Sequence, residues 1–215
     1  MPPLRKSFQE RFEELERDLN IMCNKGVETV ERTRKAVLNQ DFELAREIID
    51  GDDDLDAFII QIEEKGIEVL ALQAPVAIDL RRIFVMLRIA MHIERVGDLC
   101  VNICKVLLSL KGYSISPNVK DNFSEMFKRA IEMLRQSLES FKNKDSSHVS
   151  DLTQMDDKVD RIHRAFLEGV NGGDREEVEV TVRVLMIARF VERIADHAVD
   201  IGEDVKYMVI GRFVE

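Results

Sequence analysis

The chain has 215 residues, a formal net charge of −10, and a composition that is 45% apolar and 33% charged, with no Trp. Such a length holds one large domain or two of about 100 residues each, and the acidic balance excludes nonspecific nucleic-acid binding while favouring metal cations or basic partners. No apolar run is long enough to span a bilayer, the N-terminus lacks the apolar core of a signal peptide, and the few Pro and Gly leave long helices uninterrupted.

Phe8, Phe12, Leu15, Leu19 and Met22 alternate steps of four and three, which predicts a first helix from about Leu4 to Asn39. Gly26 falls on the same line, where it allows a neighbouring helix to come close. Asn39-Gln40-Asp41 reads as a turn with Asp41 as the N-cap of a second helix. That helix carries Leu44 and Ile48, then Asp52-Asp53-Asp54-Leu55-Asp56, then Ile62 and Leu70, and it ends near Pro75. A third helix runs from about Val76 to Leu110. It is apolar on nearly every side around Ile83–Ile93, as expected of a helix in the middle of a bundle. Its stripe is Ile89, Ile93, Val96, Cys100, Ile103 and Leu107, with Glu94 and Asp98 at the stripe's edge.

Lys111–Pro117 is a linker, in which Gly112 closes one helix, Ser116 caps the next and Pro117 takes its first position. The fourth helix runs to about Lys142. The fifth holds Asp156, Asp157 and Asp160 and ends at Gly169, before the Asn171-Gly172-Gly173 break. The sixth runs from about Glu176 to Ile210. Cys23, Cys100 and Cys104 lack zinc-site spacing and read as reduced core thiols of a cytosolic protein.

The chain repeats itself. Leu87–Ile103 returns as Leu185–Ile201 with eight of 17 positions identical, where unrelated segments share roughly one. With an offset of 104, Met22–Asp41 falls on Met126–Asp145 and Asp52, Asp53 and Asp56 fall on Asp156, Asp157 and Asp160. The expected architecture is therefore all-α and elongated: a tandem duplication of a three-helix bundle, residues 1–112 and 113–215, with six long helices.

Some retained residues are core. The acid pairs are not, since no core needs them. Glu94/Asp98 and Glu192/Asp196 sit at i,i+4 on one helical face, and so do Asp52/Asp56 and Asp156/Asp160. Asp56 lies 19 residues before Pro75 and Glu94 lies 19 after it, so antiparallel packing brings the pairs to one depth. Four carboxylates that close require protonation or a counter-cation. All-oxygen ligation suits iron, manganese, magnesium or calcium. Asn102 and Asp200 continue the row one turn further as additional candidate ligands. Read singly, Asp52–Asp56 is a solvated helix N-terminus favoured by the dipole, and Glu94/Asp98 is a surface ion network with Arg95, Arg88 or Arg193. Duplication at matched depth is what favours metal. The four His are scattered; His197 beside Asp196 reads foremost as a surface His and only second as a further ligand. The paired Glu-x-x-His of di-iron oxidases is missing from the sequence, as are phosphate-loop, zincin and hydrolase motifs.

Asn39–Asp56 (NQDFELAREIIDGDDDLD), the AP-x-x-x-DLRRI stretch at Ala74–Ile83, and ERVGD with ERIAD about 100 residues apart resemble the PhoU family over essentially the whole chain. The resemblance implies a non-enzymatic repressor of phosphate-starvation signalling. It would work with a phosphate ABC transporter and a membrane sensor histidine kinase, in the cytoplasm at or near the inner face of the membrane. It also implies metal, foremost multinuclear iron with manganese, zinc, magnesium or calcium as alternatives, at Asp52, Asp56, Glu94 and Asp98 and again at Asp156, Asp160, Glu192 and Asp196. Ala195 in place of the Gly at Gly97 is a mild departure; Asn102 opposite Asp200 predicts that the two sites differ in charge. Long exposed helices are compatible with a homodimer. Two other readings stand beside this one: a metal-dependent, carboxylate-bridged enzyme, and a metal-free helical adaptor whose acid rows bind basic partners.

Overall fold

The computed structural model describes residues 3–73, 77–168 and 175–212. The expected turn at Pro75, the end at Gly169 and the Asn171–Gly173 break lie outside them. Among the described residues every regular element is helical: α1 Pro3–Asn39, α2 Phe42–Asp50, α3 Asp53–Gln73, α4 Ala77–Ser109, α5 Pro117–Asn143, α6 Val149–Glu168 and α7 Arg175–Ile210. At about 1.5 Å per residue the 37-residue α1 spans roughly 55 Å. A compact sphere of this chain length has a diameter of only about 44 Å, so the molecule is elongated.

Two caps follow the sequence. Asp41 accepts a hydrogen bond from the Leu44 N–H at 3.0 Å and starts α2. Ser116 accepts from the Val119 N–H and Pro117 opens α5. Gly112 turns the chain at φ +99°. Gln40 and Lys144, equivalent positions in the two halves, both take the left-handed conformation, at φ 50° and 54°. Gln40 also ties the linker down: its side chain donates to the Tyr113 carbonyl at 2.8 Å and accepts from the Ile115 N–H at 3.2 Å.

The expected second helix is in fact two. It breaks at Gly51-Asp52, where the Gly51 N–H caps the Glu47 carbonyl and α3 restarts at Asp53. The equivalent segment of the second half, with Met155 in place of Gly51, runs through α6 without interruption. Gly costs a helix interior about 1 kcal/mol relative to Ala, and the acidic triplet after it favours a fresh N-terminus.

In α4 the stripe Ile89, Ile93, Val96, Cys100, Ile103 and Leu107 is fully buried. Its upper part is not apolar-packed all round, however: Phe84 and Met91 are exposed. α4 is flanked by α1, α2, α3 and α7, which leaves one face open. Gly26 lets α1 approach α4 closely, since a Cβ there would meet Ile93 at 2.7 Å. The halves join side by side, α4 on α7 and α1 on α5. All three cysteines are free and buried, and burial pushes their thiols up to about 12. No helix among the described residues is long and apolar enough to cross a membrane.

Candidate metal centres

In the first half, α3 packs on α4 at Gly97, where a Cβ would meet Leu55 Cδ1 at 2.6 Å. Leu55 sits within the acidic run and Gly97 within ERVGD, so this contact brings the two acid pairs together. Asp52 has its carboxyl pushed up by burial and then by the neighbouring charges of Asp56 and Asp98. Glu94 is raised by burial and by Asp98, with Asp56 and Asp52 adding to it. All four predicted carboxylates thus interact across α3 and α4. Arg95 offsets part of the charge, 3.5 Å from Glu94 and 3.3 Å from Asp98. Arg88 does not join them; it turns to Asp204 of α7. The solvated-terminus reading describes Asp53, Asp54 and Asp56, which are exposed, and Asp54 pairs with Lys25 at 2.5 Å; Asp52 is half-buried. Asn102 is half-buried on α4, one turn beyond Asp98.

The second half builds its site differently. Asp156 lies within the continuous α6, and its Oδ1 is buried without a hydrogen-bond partner. Burial, then Asp196 and Asp160, push its carboxyl up to about 6. Asp196 is raised by burial and by Asp160 and Asp200, against the pull of Arg189. Glu192 is buried at 8% exposure, in contact with Arg189 and 3.6 Å from His163 Nδ1. Burial and Arg189 hold His163 below its usual range, so its neutral ring offers a lone pair beside the carboxylates. The repeat gives His163 no signal as a ligand, since its equivalent in the first half is Ile59.

Asp200 raises Asp156 and Asp196, which places it beside the second acid row. Its Oδ2 also lies 3.7 Å from His197 Nδ1 and 3.8 Å from His92 Nδ1. The neighbouring His197 imidazole holds the Asp200 carboxyl below its usual range, with His92 and Arg88 adding to the pull. His92, on α4, had no sequence signal: its partner is 105 residues away in the other half.

By chemistry the carboxylate oxygens of the two acid rows suit hard or borderline cations, but among the described residues no three donors of either row lie within 4.8 Å of one another, so a shared ion would have to draw their side chains together. An orphaned, buried Asp156 oxygen is the kind of polar atom that a bound ion or water satisfies.

A family profile described as "PhoU domain" matches residues 19–107 and again 123–205. The phosphate-specific transport system accessory protein PhoU homolog 1 of Mycobacterium tuberculosis is 33% identical over 97% of this chain and 95% of its own length. The corresponding homolog of Clostridium acetobutylicum is 31% identical over 98% of each chain. The crystal structure of the phosphate transport system regulatory protein PhoU from Streptococcus pneumoniae superposes with a TM-score of 0.87 at 26% identity, covering 97% of this chain and 99% of that one. PhoU from Pseudomonas aeruginosa has the same fold, with a TM-score of 0.87 at 24% identity.

Proposed function

This chain belongs to the PhoU family, and from that premise we propose that it is an accessory regulator of phosphate transport whose two acidic sites hold metal. It acts as an accessory protein and not as an enzyme. Its partners in this reading are the phosphate ABC transporter and the sensor histidine kinase, and its effect is to hold starvation signalling off when phosphate is plentiful. The observation that supports the metal part is electrostatic: burial and neighbouring acids push Asp52, Glu94, Asp156 and Asp196 above their ordinary range. Like charges held together in this way are relieved by a shared cation. Asp52, Asp56, Glu94 and Asp98 would hold one, with Asn102 at its margin. Asp156, Asp160, Glu192 and Asp196 would hold the other, with Asp200 beside it. Iron is the first candidate by the family resemblance, with manganese, magnesium, calcium and zinc as alternatives; carboxylate ligands by themselves suit magnesium, calcium and manganese. The metal would fix α3 against α4 and α6 against α7, and the transporter and kinase would read the resulting surface.

Two measurements test the two parts separately. Elemental mass spectrometry on protein purified without chelator or affinity metal should find several equivalents of metal. Glu94→Ala with Asp98→Ala should lower that content by about one site's worth, and unchanged content would sink the ligand assignment. Deleting the gene should switch on a phosphate-starvation reporter in phosphate-rich medium. A reporter that stays silent would count against the regulatory role whatever the metal content.

A further inference from the structure

A cluster of different chemistry lies on the seam where α4 of the first half packs on α7 of the second. His92 is 5% exposed. Its Nδ1 is 3.1 Å from His197 Nδ1, and the two rings approach to 5.3 Å between centroids. The Asp200 Oδ2 completes a triangle, 3.8 Å from one nitrogen and 3.7 Å from the other. We infer that His92, His197 and Asp200 form a third cation site, of zinc class, that bridges the two halves of the chain. It overlaps the metal reading of the second acid row at Asp200 alone; its other two donors are imidazole nitrogens, and it shares no residue with the first acid row.

Three arguments support it. The first is distance. A tetrahedron with corners ~2.0–2.1 Å from a zinc ion has edges of roughly 3.3–3.4 Å, and the observed edges of 3.1, 3.7 and 3.8 Å bracket that value. An octahedral face at the same bond length has edges of only about 2.8–3.0 Å, shorter than all three. A tetrahedral cation therefore needs the smaller adjustment.

The second is protonation. Two Nδ1 atoms facing each other cannot both present a lone pair without a proton or a cation between them. His92 Nε2 is buried and without a hydrogen-bond partner, 3.5 Å from Asp204 Oδ2. Asp204 is 1% exposed and is held by Arg88 Nε at 2.8 Å. With its proton on Nε2, facing Asp204, His92 turns a lone pair on Nδ1 to the cation. A carboxylate behind a ligating imidazole fixes the tautomer and raises its basicity.

The third is access. The Asp200 side chain is 49% exposed while His92 is buried, so the site opens to solvent on one side. That opening gives an entry path and room for water as a fourth ligand. A cation held there clamps α4 to α7, and so the first PhoU unit to the second.

The test uses the full chain stripped of metal and titrated with Co(II), whose tetrahedral nitrogen–oxygen complexes absorb visible light strongly while six-coordinate carboxylate complexes absorb weakly. One equivalent should give the strong band, and Zn(II) should abolish it. His197→Ala and Asp200→Asn should each lose the band with helical content unchanged by circular dichroism. His197 is partly solvated and Ala suits a helix, so this variant is expected to fold. Glu94→Ala with Asp98→Ala should keep the band, since those residues belong to the first acid row. Zn(II) at ~100-fold over its Kd should raise the melting midpoint by roughly 5–10 °C, and this rise should vanish in His197→Ala. A wild type with only weak absorption overturns the inference: the two imidazoles then share a single proton. Retention of the band in both His197→Ala and Asp200→Asn overturns it as well. Either result leaves the first acid row untouched, just as metal-free acid rows would leave a Zn-quenched cobalt band standing.

Discussion

The two halves repeat one another in sequence, yet each assembles its acidic site by a different route. In the first, Gly51 breaks the helix, Asp52 stands in the break, and Gly97 lets Leu55 bring α3 onto α4. In the second, α6 is continuous, Ala195 stands at the position of Gly97, and the smaller Val159 stands at the position of Leu55; both are fully buried. The methyl added on one helix is matched by one removed from the other. A duplicated site is thus preserved as a pairing of volumes and not residue by residue, which is how close-packed cores accept change. The polar surroundings diverge further. Ile59, Leu99 and Val106 of the first half are matched by His163, His197 and Asp204 in the second. The second site is therefore the more buried, the more polar, and the one coupled to the seam.

The largest test of this asymmetry is the seam pair Arg88–Asp204, whose equivalents under the repeat are Met186 and Val106. Arg88→Met leaves a carboxylate of 1% exposure without its main partner. Removing one member of a buried pair costs several kcal/mol; Arg88 is itself partly solvated, so roughly 2–3 kcal/mol is expected in chemical denaturation. Adding Asp204→Val, which copies the apolar equivalents, should recover most of that loss. No recovery would show that the two seam positions are not interchangeable.

Next in size is the volume pairing. Gly97→Ala pushes a methyl against Leu55 Cδ1, 2.6 Å away. Because the contact is a side-chain end within a packed core, the expected loss is about 1–2 kcal/mol, or a few degrees in the melt. Leu55→Val, which copies the second half, should rescue it in the double variant. Additive losses in the cycle would mean the halves are packed by unrelated solutions.

The smallest effect lies in pH dependence. In metal-free protein the folded state raises Asp156 from an unfolded value of 3.8 to about 6. The native state therefore holds its proton more tightly. Its contribution to stability is fully present below about pH 4 and is lost as pH rises through about 6. Asp156→Asn should remove this dependence and leave the metal-free protein more stable than wild type at pH 7.5, by ~1 kcal/mol once solvent screening is allowed for. The gain should fade towards pH 4. Asp52→Asn in the more open first site should gain less, and an equal gain there would contradict the asymmetry.

Much of this was legible in the sequence because it is local. Helix ends followed Asp41, Ser116 and Pro117, and the buried stripe of α4 followed its spacing. The acid pairs were legible for another reason, since residues that a duplication retains without a packing role stand out. The break at Gly51-Asp52 was not, because an isolated Gly in a helical pattern is tolerated at a cost of only ~1 kcal/mol and does not by itself end a helix. Phe84 and Met91 read as buried because periodicity counts apolar residues and not the neighbours available to cover them.

The helical class, the repeat and the family follow from the sequence alone, since each depends on residues within a few turns of one another or on comparison along the chain. Only the tertiary structure decided how the halves meet. His92 and His197 occupy non-equivalent positions of the repeat and touch only because α4 packs on α7. Arg88 reaches Asp204 and not the acid row of its own helix for the same reason. Contacts between distant helices depend on crossing angle, depth and burial, and neither period nor spacing encodes these.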